Sequence, residues 1–402
     1  MVVREDYFIM GSKVKFKINS RCNINGTKDL VTLIKLPNYP ITEQFGKFDK
    51  NFPNFDQELV ISKSSGHVQL KYILDQNYLY SPQNYNYRSR SSLTSNHQLD
   101  VFINFIKKNH INKINSILDV GGNDSYVINK LAQKKAKKYV IDPVGVNKDR
   151  DIIVINKFLK DVDLSKDITK PDLVICRHTL EHIPEPKLFL NKLISECDDK
   201  CNFVFEVPSL ERMVETQRFD AIMHQHISYF SVKSLKLLVE SCGGVINSYQ
   251  IFEKGSCGGS IIFSFKKTKK KTKKKTKKKI DYIKNYKIIK NGLENFKRNM
   301  ILLKSLINNT DGKLIGYGAG LMLSTYIYFL KINTSKIKYV LDDDQTKHNW
   351  QYKNLNIRIK YPKKIKHKKN ENYIVTSLEN KKILIAKIIT LNPNNIFSPI
   401  PV

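Results

Sequence analysis

Side chains that could move a proton are concentrated in residues 218–231, which read RFDAIMHQHISYFS. The run contains two histidines, His224 and His226, followed by the hydroxyl residues Ser228 and Tyr229. Neither the period of a core helix nor that of a core strand accounts for this pattern. The run therefore predicts a catalytic loop, because histidine is the side chain that titrates closest to neutral pH.

A glycine turn between two apolar runs predicts a nucleoside site. Residues 116–143 read as strand, tight turn, helix and strand, with Gly121 and Gly122 in the turn and Asp142 at the end of the second strand. Glycines let the backbone approach a ligand, and an acidic residue at that strand end can accept hydrogen bonds from ribose hydroxyls. The turn reads GGNDS and lacks the third glycine of a dinucleotide fingerprint.

The elements that would position these residues form two doubly wound patterns. Strands at residues 173–176 and 202–207 follow the first glycine turn. A long amphipathic helix, Tyr282–Asn308, then leads to a strand, a second glycine turn at residues 318–320 and a strand ending in three aspartates. The chain is therefore predicted to be an α/β protein with two Rossmann-like domains.

The formal net charge of +32 would in general suggest a polyanionic partner. Lysine is spread along the whole chain, however, and the densest block, residues 266–279, is the low-complexity run KKTKKKTKKKTKKK. We interpret that run as a solvated loop, with a tether to nucleic acid or to a membrane surface as the alternative. No nucleic-acid partner is expected.

Cysteine usage and hydropathy predict a soluble protein in a reducing compartment. The six cysteines show no paired framework, no signal peptide begins the sequence, and no apolar stretch approaches the ~20 residues of a membrane span. A cytoplasmic location without a membrane span is therefore expected. Cys197 and Cys201 are interpreted as ordinary thiols, because a metal site would need a second pair.

Residues 170–190, KPDLVICRHTLEHIPEPKLFL, resemble the segment after the fourth strand of class I S-adenosylmethionine-dependent methyltransferases. Three further motifs, in the same order along the chain, resemble the sugar C-methyltransferases. They are His224-Gln225-His226-Ile227-Ser228-Tyr229-Phe230, Gly258-Gly259-Ser260 and Gly316-Tyr317-Gly318-Ala319. This resemblance implies a class I methyltransferase fold, S-adenosyl-L-methionine as cofactor and a nucleotide-linked 4-keto-6-deoxyhexose as substrate.

The resemblance also implies three sets of site residues. The catalytic set has His226 as the general base and further comprises His224, Gln225 and Tyr229. The cofactor set comprises Asp119, Gly121, Gly122, Asn123, Asp142 and His178. The substrate set comprises Ser228, Tyr85 and Tyr87, the two tyrosines lying in an aromatic strap whose alternative interpretation is a surface loop.

The implied chemistry is carbon methylation through an enolate. A carbon next to a ketone is acidic enough for a general base to remove its proton, and the enolate then attacks the sulfonium methyl group. Two family residues beside the base are replaced, since Gln225 stands for a glutamate and Met223 for a tyrosine. Methyl transfer to oxygen or nitrogen of a related sugar, and a non-catalytic binding or scaffold protein, therefore remain alternatives.

Members of the sugar C-methyltransferase family carry an N-terminal four-cysteine zinc module. This chain retains one of the four ligands. Cys22 is present, whereas Asn25, Ser62 and Ser65 occupy the other three positions. Zinc needs a closed set of soft, deprotonated ligands, so we expect the shape of the module without the metal. The predicted domains are an N-terminal module (1–80), a methyltransferase domain (81–265), a lysine-rich loop (266–280) and a C-terminal Rossmann-like domain (281–402).

Overall fold

The computed structural model describes residues 4–9, 12–42, 45–46, 53–80, 93–109, 114–131, 135–145, 149–268, 282–366 and 369–399. Tyr85, Tyr87 and the lysine run from residue 269 onward lie outside the described residues. Within them the predicted α/β class is confirmed, because two seven-stranded, largely parallel sheets dominate the described chain. The predicted domain boundaries stay a prediction.

The N-terminal module is built from antiparallel strands. Its elements are β1 (Arg4–Ile9), β2 (Ser12–Ile18), β3 (Leu30–Tyr39), β4 (Phe45–Gly46), β5 (Phe55–Ser62), β6 (Val68–Leu70), β7 (Tyr72–Leu74) and α1 (Gln76–Leu79). Strands β1, β2 and β7 form one sheet, whereas β3, β5 and β6 belong to a second.

The middle of the chain forms the first large sheet with its helices. Its elements are α2 (Leu93–Lys108), β8 (Ser116–Val120), α3 (Tyr126–Leu131), β9 (Lys137–Ile141), β10 (Ile152–Ile155), α4 (Leu164–Asp167), β11 (Leu173–Arg177), α5 (Pro186–Glu196), β12 (Asn202–Pro208), α6 (Leu210–Glu215), β13 (Ser228–Tyr229), α7 (Val232–Ser241), β14 (Gly244–Phe252) and β15 (Ser260–Lys267). The strand order is β10, β9, β8, β11, β12, β15, β14.

Apolar strand sequences explain why this sheet is covered on both faces. Strands β8, β11 and β12 read SILDV, LVICR and NFVFEVP and are almost wholly buried, as parallel strands with helices on both sides must be. One face packs on α5 and α7, and the other on α2 and α3. The carboxyl ends of β8, β9, β11 and β12 therefore meet at one edge, where a ligand can enter.

The last third of the chain forms the second large sheet. Its elements are α8 (Tyr282–Asn308), β16 (Leu314–Tyr317), α9 (Leu323–Leu330), β17 (Ile337–Leu341), β18 (Gln351–Tyr352), β19 (Ile357–Lys360), β20 (Asn372–Val375), α10 (Lys381–Ile389) and β21 (Asn395–Phe397). The helix predicted from the amphipathic pattern has the bounds of α8. Strand β4 of the N-terminal module pairs with β18 and completes this sheet, while β13 pairs with β6 of the module.

Two matching turns in the N-terminal module stand where a zinc module would hold its metal. Gly26 N donates to Cys22 O and Gly66 N donates to Ser62 O, each at 2.8 Å. Both glycines have positive φ, 74° and 65°, a conformation that glycine adopts without a steric penalty. The residues at the ligand positions do not fit zinc, because Cys22 is the single thiol among them and its sulfur lies 3.2 Å from Ser65 Oγ.

A carboxylate lies at the centre of this pair of turns instead. Asp29 accepts hydrogen bonds from Ser62 Oγ at 2.9 Å, from Thr27 Oγ1 at 2.7 Å and from Ser64 N at 2.7 Å. Burial raises the pKa of Asp29, but the hydrogen bonds from Ser64, Thr27 and Ser62 outweigh it and lower the pKa overall. Asp29 thus links the two turns through hydrogen bonds.

We expect Asp29→Asn to lower the free energy of unfolding by about 1–3 kcal/mol, because three donors lose a charged acceptor. Urea denaturation measures this, with Asp151→Asn, an exposed aspartate in the turn before β10, as the control. An Asp29→Asn variant as stable as the wild type would contradict the assignment of Asp29 as the centre of the module.

Candidate active site

A cleft with an interior of about 130 Å³ opens at the carboxyl edge of the middle sheet. All six residues predicted to contact a cofactor line it, namely Asp119, Gly121, Gly122, Asn123, Asp142 and His178. The structure thus brings this predicted set together.

The carboxylate of Asp142 fixes the glycine turn. One oxygen accepts a hydrogen bond from Asn123 N at 2.9 Å, and the other accepts from Val144 N at 2.8 Å. Gly121 N donates to Ile141 O at 2.8 Å and so closes the turn against β9. Each carboxylate oxygen has a second lone pair, so the same group can also accept a hydroxyl donor from the cleft.

Close packing explains the glycine at position 121. Its φ is +80°, and a Cβ atom there would lie 2.1 Å from Thr179 Oγ1. Thr179 follows β11, so a side chain on Gly121 would push the neighbouring loop away from the turn. The glycine is required by the protein's own packing as well as by close approach to a ligand.

Opposite charges face the same cleft on β8 and β11. Asp119 is buried, and its Oδ2 has no hydrogen-bond partner among the described residues. Burial raises the pKa of Asp119 to about 7, against the opposing effect of Arg177. The Arg177 side chain pairs with Glu206 at 2.7 Å and lies over the Phe102 ring, while its Nη2 has no hydrogen-bond partner in the described chain.

His178 lies between two buried carboxylates. Its Nδ1 is 3.4 Å from Glu181 Oε1, and its Nε2 is 3.6 Å from Glu206 Oε1. Burial lowers the pKa of His178, but Glu206 and Glu181 outweigh burial and raise it to about 9. The residue is therefore a cation at neutral pH and a poor candidate for a base.

His226 is the loop histidine that contacts His182. Its ring lies 4.8 Å from the His182 ring, in an edge-to-face arrangement. Burial, together with the nearby His182 and His178, lowers the pKa of His226 well below its ordinary value, so the imidazole is neutral. His226 also lines a small second cavity of about 10 Å³, with Tyr229 and Cys257 among its walls.

Two members of the predicted catalytic set form hydrogen bonds with residues of the N-terminal module. Both ring nitrogens of His224 are occupied, by Tyr39 O at 3.1 Å and by Gln57 Nε2 at 3.1 Å. The amide of Gln225 accepts from Thr42 Oγ1 at 3.0 Å and donates to Thr42 O at 3.3 Å. These hydrogen bonds position the two side chains, and neither side chain is among the residues that line the cleft.

Tyr229 and Ser228 also have protein partners. The Tyr229 hydroxyl accepts from Met223 N at 3.1 Å, and burial raises the pKa of Tyr229. Ser228 Oγ accepts from Asn23 Nδ2 at 3.2 Å and lies 3.3 Å from His67 Nε2. Both nevertheless line the smaller cavity beside His226.

The predicted site residues did not include His182, which lines the cleft and contacts His226. Its Nδ1 donates to Gln225 O at 2.8 Å, and this sets the tautomer with a lone pair on Nε2. Tyr80 was missed as well, although its ring packs edge-to-face on His182 at 6.0 Å. The signal for His182 was its position after β11, four residues beyond His178, and no signal identified Tyr80.

Two family models match this chain. Residues 92–246 match a methyltransferase domain, and residues 257–392 match a C-methyltransferase C-terminal domain. The chain thus carries a methyltransferase domain. The matched range includes the glycine turn, most of the residues that line the cleft, and the His226 loop.

A curated relative matches a short part of the chain. C-methyltransferase NovU of Streptomyces niveus is 36% identical over 90 residues, which are 22% of this chain and 21% of that protein. The match thus spans about a fifth of the length of this curated relative.

Similar solved structures include 1,6-didemethyltoxoflavin-N1-methyltransferase from Burkholderia thailandensis, with 11% identity, a TM-score of 0.38 and coverage of 58% of this chain and 100% of that one. Magnesium protoporphyrin IX methyltransferase from Synechocystis has 14% identity, a TM-score of 0.34 and coverage of 48% and 92%.

The loop of the methyltransferase domain that carries His226 is also held by the C-terminal domain. Arg218, at the start of that loop, is buried between Asp220 at 2.8 Å and Glu379 at 2.8 Å. Thr325 of α9 donates its hydroxyl to Asp220 O at 2.6 Å. The loop is thus fixed from both sides, because the N-terminal module holds His224 and Gln225.

None of the helices in the described ranges combines the length and apolar character of a membrane span.

We expect Asp119→Asn to stabilise the protein at high pH. A pKa raised to about 7 in the folded state, against ~3.9 unfolded, means that the contribution of Asp119 to stability is fully present below the unfolded pKa and is lost as pH rises to 7. The variant should therefore match the wild type near pH 4 and exceed it by on the order of 1–3 kcal/mol at pH 8.

Urea denaturation at the two pH values measures this difference, with Asp151→Asn as the control. An equal free energy of unfolding for Asp119→Asn and wild type at pH 8 would show that the buried carboxyl costs nothing when ionised.

Proposed function

We propose that this protein transfers the methyl group of S-adenosyl-L-methionine to a carbon next to a ketone in a nucleotide-activated sugar. The observation that carries the proposal is the contact between the cleft and the base: His182 lines the cleft, and its ring lies 4.8 Å from His226. The match of residues 257–392 to a C-methyltransferase C-terminal domain supports carbon as the acceptor.

The cleft offers partners for the ribose and for the methionyl part of the cofactor. Asp142 would accept the ribose hydroxyls while it holds Asn123 N. The unpartnered Asp119 Oδ2 and Arg177 Nη2 have the charges needed for the ammonium and carboxylate groups of the methionyl part. Bound there, the cofactor supplies an electrophilic methyl group.

His226 would take the proton from the substrate carbon. Because its imidazole is neutral, it has a lone pair with which to accept that proton. The electron pair of the broken C–H bond forms the enolate, whose carbon then bonds to the methyl group as the bond to sulfur breaks. The proton stays on His226, beside His182, until the product leaves.

The substitution at Gln225 fits an active enzyme. Its amide both donates to and accepts from Thr42, which an ionised glutamate could not do because a carboxylate only accepts. The change therefore has a structural reason in this chain. A drift toward a binding or scaffold protein is not needed to explain it.

The cofactor assignment is tested by calorimetric titration with S-adenosyl-L-methionine and its demethylated product. We expect Asp142→Ala to weaken binding at least tenfold, because the glycine turn and the ribose lose one acceptor. Asp342→Ala is the matched control, since Asp342 accepts from Ala319 N in the C-terminal domain with the same geometry. Equal losses in both variants, or no binding by the folded wild type, would contradict the assignment.

The base is tested with 4-keto-6-deoxy sugar nucleotides in deuterated water, following proton exchange and methyl gain. We expect His226→Gln to lower both rates by about 10²–10⁴-fold with little change in cofactor affinity. His348→Gln in the C-terminal domain serves as the control. Methyl gain without exchange would favour an oxygen or nitrogen acceptor, and cofactor binding with neither would favour the scaffold alternative.

A further inference from the structure

We propose that Glu181, His182 and His226 form a binding site for a divalent transition-metal ion. One ligand atom from each residue lies within 4.8 Å of the other two. Two imidazoles and one carboxylate are a donor set that binds zinc and non-haem iron in proteins. The site joins the cleft to the smaller cavity, because His182 lines the first and His226 the second.

Glu181 supplies the strongest observation. Its side chain is 1% exposed. Apart from the ion pair between Oε1 and His178 at 3.4 Å, neither carboxylate oxygen has a hydrogen-bond partner in the described part of the chain. A buried carboxylate without hydrogen bonds is costly, and a cation beside Oε2 would remove that cost.

The two histidines are prepared to act as ligands. His182 donates Nδ1–H to the backbone oxygen of Gln225, which is the contact that usually orients a metal-bound histidine. Its Nε2 therefore keeps a lone pair. Ligands around zinc at ~2.0–2.1 Å lie roughly 3.3 Å apart, so the three side chains must close by up to about 1.5 Å from their present limit of 4.8 Å.

Metal binding and proton abstraction would use the same lone pair of His226. This consequence rests on the proposed function, whereas the site itself does not. An ion with affinity for nitrogen, such as Zn²⁺ or Co²⁺, would therefore inhibit methyl transfer. Mg²⁺ and Ca²⁺ prefer oxygen ligands and are not expected to bind here.

The test is a titration of the cofactor-free protein with Zn²⁺ and with Mg²⁺, with bound metal measured after gel filtration. We expect one Zn²⁺ and no Mg²⁺ per chain. Glu181→Gln and His182→Gln should each weaken Zn²⁺ binding at least tenfold. Cys22→Ser, which removes the remaining thiol of the N-terminal turns, should leave it unchanged.

Three outcomes would overturn the site: no Zn²⁺ bound by the wild type, unchanged binding in Glu181→Gln, or loss of binding in Cys22→Ser. Circular dichroism checks each variant, and His182→Asn replaces any variant that fails to fold. Titration of the same samples with S-adenosyl-L-methionine separates the two proposals. Zn²⁺ binding without cofactor binding would leave this site in place and reject the proposed function.

Discussion

Alternating buried charges at the ends of β11 and β12 hold the active site together. Glu206 is wholly buried, and it joins Arg177 at 2.7 Å, His178 at 3.6 Å and the hydroxyl of Ser260 at 2.7 Å. Burial raises the pKa of Glu206, but Arg177 and His178 outweigh it and lower the pKa to about 2. Because each charge is compensated by its neighbours, the strand ends can carry polar groups into the sheet without losing the fold.

The sequence predicted the fold and six residues that line one cleft, because their signals are local. Apolar strands, a glycine turn and the acid at Asp142 lie within a few tens of residues of one another. The contacts of the His226 loop were harder to predict from the sequence, because the residues that form them are far apart in the chain. His224 is held by Tyr39 and Gln57, more than 160 residues away, and no local pattern could show that its nitrogens are occupied.

The two Rossmann-like sheets share one way of fixing a glycine turn. Gly318 N donates to Leu341 O at 2.7 Å, and Ala319 N donates to Asp342 at 2.7 Å, as the first turn does with β9 and Asp142. Their surroundings differ, since Lys347 lies 3.3 Å from Asp342. A repeated backbone arrangement therefore does not by itself repeat a ligand site, and the surrounding side chains decide its use.

Strand β4 of the N-terminal module completes the C-terminal sheet by pairing with β18. Some 300 residues separate the two strands in the chain. During synthesis on a ribosome, β4 emerges early and must wait for its partner until nearly the whole chain has been made. Contacts of such long sequence separation slow folding. Strand β4 therefore stays unpaired in the nascent chain until β18 has been made, and during that period it is exposed to chaperones and to aggregation.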